Sequence, residues 1–388
     1  MAALLMVAGV LGSATSSAAA VPDWSGLDVR YYDGPIPAPG DLIDAVPLNP
    51  ALSVTGAATG YRILYATADQ HDRPAVSTAA VFVPKTPPPP GGWPVIAWAH
   101  GTVGLGDDCT PSARPRSDRD DEYLTHWLEN GYVVVGSDYA GLGTPGLMSY
   151  LNASTTARGV VDAVLAAHHM DLALSPKWMV VGQSQGGGAA VATARWATEF
   201  SAASGSALDY RGVVATGTPA SVENLVRQAG PEMAVPPELG PVANAYTAYI
   251  IAALREARPD LGLDTVLTSA GRAAVDRAET RCLTELSATL ADMTVPGFFS
   301  APVSTLRAFD EAVDRFMGLP ATGYDRPLFL GVGLLDRDVP PNLTLRFADE
   351  LAANGQNMTL KVYPGEDHGG TVLASLPDST PFVMRELS

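Results

Sequence analysis

The sequence predicts an α/β protein with a mostly parallel sheet and helices on both of its faces. Short apolar runs such as 93–99 and 132–137 are typical of strands that are buried in a parallel sheet. Helical patterns, for example at 119–130 and 155–170, alternate with these runs along the chain. From about residue 219 to residue 319 the strand signal disappears and helical patterns remain. A helical insertion into the α/β core is therefore expected there.

The other elements are predicted from apolar runs and chain breakers. Two strands at 61–65 and 77–83 are expected to pair as a hairpin, and the Pro-rich stretch 86–90 separates them from the strand at 93–99. Further strands are expected at 178–181, 210–216, 327–333 and 358–363, and further helices at 187–192, 243–254, 275–290 and 306–317.

The stretch 182–186 places Ser184 between two glycines, Gly182 and Gly186. It follows an apolar strand and opens a helix of small residues. Because such a turn brings the helix close to the strand, a Cβ at either glycine would clash. A serine on this kind of strand-to-helix turn is the nucleophile elbow of the α/β-hydrolases, which exposes the serine Oγ at the top of the sheet. The pattern therefore predicts Ser184 as a catalytic nucleophile.

Two late strands end in loops that carry candidate partners for Ser184. Asp336 and Asp338 follow the strand at 327–333, and His368 follows the strand at 358–363. The order Ser, Asp, His is that of the α/β-hydrolases, and open α/β sheets place their sites at the carboxyl ends of the strands. Since serine is a poor nucleophile, we expect His368 to take its proton and a carboxylate to orient the imidazole.

The choice of carboxylate rests on position along the chain. Asp336 comes first after its strand, three residues before Val339, and is predicted as the acid of the triad. Asp338 is the alternative. Glu366 and Asp367 adjoin His368 on its turn, where neighbouring side chains point in different directions, so both are interpreted as solvated loop charges.

A Gly-rich loop at 100–106 follows the strand at 93–99. A tetrahedral intermediate of acyl transfer needs backbone N–H donors, which come from this loop and from the residue after the nucleophile. Thr102 and Gln185 are the predicted donors, and the Thr102 hydroxyl is a candidate third donor. His100 and Asp138 are interpreted as scaffold residues that hold the loops.

Several segments together carry a family resemblance: 97–102, 107–112, 137–143, 182–187 and the loops of Asp336 and His368. With them the chain resembles the secretory lipase family, the lipase A-like branch of the α/β-hydrolases, from about residue 22 to the C-terminus. The resemblance implies an α/β-hydrolase fold with an inserted helical cap, and secreted hydrolysis of acyl-glycerols or related lipid esters. Gln183 and Gln185 depart from the fungal members, which typically carry an aromatic residue and a glycine there.

Four segments are expected: a signal peptide at 1–20, a first part of the hydrolase core at 21–218, a helical cap at 219–320, and a second part of the core at 321–388. Residues 1–20 are apolar and end in three alanines, a small-residue cleavage site. The protein is therefore expected to be exported. In an exported chain two cysteines are read as one disulfide, here Cys109 with Cys282, and two free thiols are the alternative.

The charge of the chain limits its partners. The formal net charge is −17, from 24 basic and 41 acidic residues, which argues against nucleic acid or an anionic membrane surface as a partner. No spacing of His, Cys or Asp suggests a metal, and no phosphate-binding loop is visible, so no cofactor is expected. The expected partners are a hydrophobic ester substrate and a lipid–water interface, without stable membrane insertion.

Three functions are compatible with these features. The first is a serine carboxylesterase or lipase that forms an acyl-enzyme on Ser184. The second is a serine peptidase or an acyltransferase, because the fold and the triad do not determine the leaving group. The third, a hydrolase-like binding protein without catalysis, is disfavoured because the nucleophile, base, acid and oxyanion positions are all present.

Overall fold

The computed structural model describes residues 26–235 and 239–388. Within these ranges nine strands form one sheet in the order β1-β2-β3-β5-β4-β6-β7-β8-β9. The predicted signal peptide, residues 1–20, lies outside the described residues. The strands are β1 (Leu42–Pro47), β2 (Ala57–Ala68), β3 (Pro74–Pro84), β4 (Trp93–Ala99), β5 (Val133–Ser137), β6 (Leu174–Gln183), β7 (Asp209–Thr216), β8 (Leu328–Gly333) and β9 (Met358–Tyr363).

The six strands from β5 to β9 in the sheet are mutually parallel, whereas β1, β2 and β3 extend one side of the sheet as antiparallel strands. The carboxyl ends of the parallel strands therefore meet at one edge. The helices are α1 (Asp118–Glu129), α2 (Ala153–His168), α3 (Gln185–Ala203), α4 (Glu223–Val226), α5 (Ala243–Ala257), α6 (Ser269–Ala278), α7 (Leu283–Thr289), α8 (Phe309–Met317), α9 (Pro341–Ala353), α10 (Gly370–Ala374) and α11 (Leu376–Leu387).

Both faces of the sheet are buried, as the continuous apolar runs predict. Along β4 the side chains alternate: Val95 and Ala97 belong to one apolar cluster, and Ile96 and Trp98 belong to another. The first cluster includes residues of α2, α3 and α9, and the second includes residues of α1, α10 and α11. The predicted fold class, a mostly parallel sheet with helices on both faces, is confirmed.

One strand was not predicted, and two predicted helices need correction. β1 pairs with β2 and was not predicted. The helix expected at 275–290 is two helices, because Cys282 between them has extended backbone and is bonded to the core through its sulfur. The helix expected at 306–317 begins only at Phe309, because Ala308 has a φ of 61° and interrupts the helical path.

The described residues between β7 and β8 form helices and turns, with no strand of the sheet. The cap boundaries at 219–320 remain a prediction. A search of the described residues for a helix long and apolar enough to span a bilayer finds none.

One buried carboxyl group in α2 makes folding stability depend on pH. Burial raises the pKa of Asp162 to about 7 from 3.8, although the Thr67 hydroxyl, 2.7 Å from Asp162 Oδ2, and Arg158 act in the opposite direction. Above pH 3.8 the unfolded chain loses this proton while the folded protein keeps it, so the contribution to stability falls as the pH rises towards 7.

Asp162→Asn is expected to remove this decline, because the amide oxygen still accepts the Thr67 hydrogen bond without carrying charge. The gain in unfolding free energy over wild type should then be larger at about pH 8 than at about pH 5, by on the order of 2 kcal/mol. Denaturant titrations of both proteins at the two pH values measure the difference. A gain in unfolding free energy that is the same at the two pH values would contradict the prediction.

Candidate active site

Ser184 occupies a strained turn between β6 and α3. Its backbone has a φ of 59° and a ψ of −127°, a costly conformation for a residue with a Cβ and one expected of a nucleophile elbow. A Cβ on Gly182 would overlap the carbonyl oxygen of Gly186, and a Cβ on Gly186 would overlap that of Ala99. The two glycines are therefore required by the close approach of α3 to β6 and β4.

His368 and Asp336 are in direct contact. His368 Nδ1 lies 2.7 Å from Asp336 Oδ2. The two residues follow β9 and β8, which are adjacent and parallel, so their loops leave the same edge of the sheet. The backbone N–H groups of Asp338 and Val339 donate to the other carboxylate oxygen of Asp336 at 2.9 and 2.8 Å. These bonds hold the buried carboxylate in position against the imidazole.

Because Nδ1 contacts Asp336, Nε2 is the imidazole nitrogen that is predicted to take the serine proton. Nε2 is buried and has no hydrogen-bond partner among the described residues. His368 and Ser184 line the same cavity, which we call the catalytic chamber; its wall also includes Trp98, His100, Gly101, Thr102, Arg116, Arg119, Gln183, Tyr246 and Asp338. Catalytic hydrogen bonds often tighten only when substrate is bound.

Gly217 provides space for the imidazole and was missed by sequence reasoning. A Cβ at this position would lie 2.9 Å from Cε1 of His368 and 3.0 Å from its Nδ1, and the φ of Gly217 is 54°. Its place directly after β7, at the carboxyl edge of the sheet, could have marked Gly217 as a residue near the site, but not the ring that it accommodates.

Asp338 has a different partner. Its Oδ2 accepts a hydrogen bond of 2.9 Å from the hydroxyl of Tyr246, which lies on α5. The structure thus brings Asp336 to His368 and directs Asp338 to the helical segment.

The two predicted oxyanion donors flank Ser184. Gln185 is the first residue of α3, and the N–H groups of the first helical turn have no acceptor within the helix. Thr102 lies in the wall of the catalytic chamber, and a Cβ on the preceding Gly101 would lie 3.4 Å from Ser184 Cβ. The Thr102 hydroxyl lies 2.7 Å from that of the buried Tyr150, a partner that sequence reasoning missed. If Tyr150 donates, the Thr102 hydroxyl proton is free to point to the chamber.

His100 and Asp138 contact loop groups rather than the triad. His100 Nδ1 lies 2.7 Å from the Gly101 carbonyl oxygen, and burial lowers the pKa of His100. Asp138 accepts hydrogen bonds from the Ser112 N–H at 2.8 Å and the Thr78 hydroxyl at 2.6 Å. These contacts attach the loops beside β4 and β5 to the sheet.

A disulfide connects the oxyanion side of the site to the helical segment. Cys109 and Cys282 are bonded, with a Cα–Cα distance of 5.4 Å. Next to the bond, Gly104 pairs with Cys282 as an isolated β-bridge, and the Leu283 N–H donates to the Val103 carbonyl at 2.8 Å. The loop that carries Thr102 is therefore attached to the segment between α6 and α7 by one covalent bond and by backbone contacts.

Replacing both cysteines with alanine is expected to lower thermal stability and activity together. The bond joins residues 173 positions apart, and chain-entropy reasoning gives such a crosslink about 5 kcal/mol. Thermal melts of the double variant and its rates in the activity assay described under the proposed function, compared with wild type before and after reduction, measure both effects. Free thiols in the unreduced wild-type protein, detected by alkylation and mass spectrometry, would contradict this prediction.

A second cavity adjoins the catalytic chamber. We call it the apolar cavity; it has a volume of about 850 Å³ including its opening, and it lies among α4, α5, α8 and the start of α9. Its wall includes Val226, Ile250, Leu254, Phe299 and Leu343, and among the described residues its polar members are Tyr246, Thr247 and Asp338. An apolar cavity of this size beside a polar chamber suits a ligand with a hydrophobic chain and a polar centre.

The sheet order, the inserted helices and the Ser, Asp, His loops define an α/β-hydrolase fold. Solved structures of the same fold include Candida antarctica lipase A in its closed state, with a TM-score of 0.72 and 18% identity over 90% of this chain and 82% of that one. The rice cell wall degrading esterase LipA from Xanthomonas oryzae has a TM-score of 0.69 and 22% identity over 90% and 98% of the two chains. The resemblance to lipase A is thus confirmed at the level of the fold.

Comparison of the sequence with known families gives a match over a short part of the chain. The model of the prolyl oligopeptidase family, peptidase S9, matches residues 310–376, a stretch that contains Asp336 and His368. No curated protein matches the chain.

Proposed function

We propose that this protein is a serine ester hydrolase that cleaves acyl-glycerols or related lipid esters through an acyl-enzyme on Ser184. The observation that carries the proposal is the 2.7 Å contact between His368 and Asp336 in the chamber that also contains the Ser184 elbow. Serine, histidine and aspartate are the three side chains that ester hydrolysis by a serine requires, and the contact of His368 with Asp336 is the one that orients the base.

In the proposed reaction, Ser184 Oγ attacks the ester carbonyl carbon while His368 Nε2 takes the hydroxyl proton. Asp336 stabilises the imidazolium that forms, and the N–H groups of Gln185 and Thr102 donate to the oxyanion. When the tetrahedral intermediate collapses, His368 returns the proton to the leaving alcohol. A water molecule then attacks the acyl-enzyme with His368 again as the base, which releases the acid and restores Ser184.

The hydrophobic ester substrate is supported by the apolar cavity, in whose wall Asp338 is the one charged side chain among residues 26–235 and 239–388. Two of the structural neighbours are named as a lipase and an esterase, which agrees with this choice. We also propose that the protein works in an exported, oxidising compartment, supported by the disulfide between Cys109 and Cys282. A lipid–water interface is the proposed partner, and residues 219–320 are the proposed cap.

A serine peptidase is the second candidate, favoured by the peptidase S9 match over 310–376. A peptide substrate needs polar partners for its backbone, and the described part of the apolar cavity's wall provides few. An acyltransferase would use the same acyl-enzyme but transfer the acyl group to an alcohol instead of water.

Hydrolysis rates on p-nitrophenyl esters from acetate to palmitate, with and without an emulsion, test the proposal. We expect hydrolysis that depends on Ser184, together with little cleavage of chromogenic peptide amides. Peptide cleavage without ester hydrolysis would favour the peptidase, and acyl transfer to added alcohol in excess of hydrolysis would favour the acyltransferase.

A further inference from the structure

The catalytic chamber and the apolar cavity share part of their walls. Among the described residues, Tyr246 and Asp338 are the two that line both cavities. Tyr246 belongs to α5, and Asp338 belongs to the loop of the triad acid after β8. The boundary between the two spaces is therefore formed where the helical segment meets the catalytic loop.

A hydrogen bond joins the two side chains at this boundary. The Tyr246 hydroxyl donates to Asp338 Oδ2 at 2.9 Å. Nearby, the backbone N–H of Gly240 donates to the carbonyl of Arg337 at 2.8 Å, which attaches the start of the helical segment to the same loop. This backbone contact does not involve the Tyr246 side chain, whose hydroxyl bond to Asp338 is separate from it.

We propose that Tyr246 determines acyl-chain specificity as a gate: hydrogen-bonded to Asp338 it separates the catalytic chamber from the apolar cavity, and it swings aside to admit a long acyl chain. The inference rests on the proposed function. An acyl group of a few carbons fits in the chamber with the gate closed. A long chain must cross the boundary, and its burial in the apolar cavity compensates for the broken hydrogen bond.

Tyr246 also contacts the loop that holds the triad acid, so a purely structural role must be distinguished from the gate. The Asp338 N–H donates to Asp336 at 2.9 Å, and the loss of Tyr246 through this path would slow all substrates alike. A gate instead changes the ratio of rates on long and short chains. The ratio is therefore the informative measurement.

The test uses wild type, Tyr246→Phe and Tyr246→Ala, with Tyr249→Phe as a matched control. Tyr249 lies one turn further along α5, lines neither cavity, and donates to the Arg281 carbonyl. For each protein, kcat/KM is measured for p-nitrophenyl esters from acetate to palmitate below their aggregation limits. Inactivation by p-nitrophenyl alkylphosphonates of short and long chain, followed by mass spectrometry of the Ser184 adduct, gives the same comparison without turnover.

Tyr246→Phe loses the bond and keeps the ring, and its long-to-short ratio is expected to rise by about tenfold, the equivalent of one hydrogen bond to a charged group. Tyr246→Ala also removes the ring and should show a rise at least as large, whereas Tyr249→Phe should keep the wild-type ratio. An unchanged or lower ratio in both Tyr246 variants, or an equal loss on all chain lengths, would overturn the gate. If wild type neither hydrolyses any ester nor reacts with any phosphonate, the proposed function itself fails.

Discussion

Ser184→Ala is expected to lower ester hydrolysis by on the order of a million-fold, the loss typical of removing the nucleophile of a catalytic triad. The variant lacks only the Oγ atom, so no acyl-enzyme forms, while the elbow and its flanking glycines are unchanged. The measurement is the rate on a short p-nitrophenyl ester, together with a thermal melt that shows the variant is folded.

Ser201→Ala is a suitable control. Ser201 lies near the carboxyl end of α3, the helix that Ser184 precedes, and it is also buried. Its activity is expected to equal that of wild type. If Ser184→Ala retained more than about a hundredth of wild-type activity, Ser184 would not be the nucleophile.

Asp336→Asn is expected to lower the rate by roughly ten-thousand-fold. An amide in place of the carboxylate favours the wrong tautomer of His368 and no longer stabilises the imidazolium. The contact distance of 2.7 Å between His368 Nδ1 and Asp336 Oδ2 is the structural basis of this expectation. Steady-state kinetics on the same ester measure the loss.

Asp338→Asn is the matched comparison, two residues along the same loop. This substitution should lower the hydrolysis rate far less than Asp336→Asn does. The amide oxygen still accepts the hydrogen bond from Tyr246, and the backbone N–H of residue 338 still donates to Asp336. The reverse order of the two losses would identify Asp338 as the triad acid and exclude Asp336.

Much of the fold was predictable because it depends on local patterns. The apolar runs of β4 through β9 and the alternating helices are visible in short windows of sequence, and they lead directly to a parallel sheet. The same holds for the candidate nucleophile, since the Gly182 and Gly186 spacing around Ser184 reflects a steric requirement of one turn. The position of His368 after a late strand was predictable from the order of elements.

Other features depend on residues far apart in the chain. Between α6 and α7, Cys282 is bonded to Cys109, which is 173 residues away in the chain. Helical propensity, which depends on neighbouring residues, does not predict an interruption at such a crosslink. Gly217 was missed because its requirement comes from the His368 ring and not from its own neighbours in sequence.

The α/β class and the candidates for nucleophile and base can be inferred from the amino-acid sequence alone, because they follow from local periodicity and from the order of strands. Which aspartate contacts His368 is established by the packing of the folded chain. Asp336 and Asp338 share a loop and a chemistry, and they differ in what faces them: the imidazole after β9 for one, and the Tyr246 hydroxyl on α5 for the other. Local sequence does not encode that difference, since each partner is brought into place by the packing of a separate element against the same edge of the sheet.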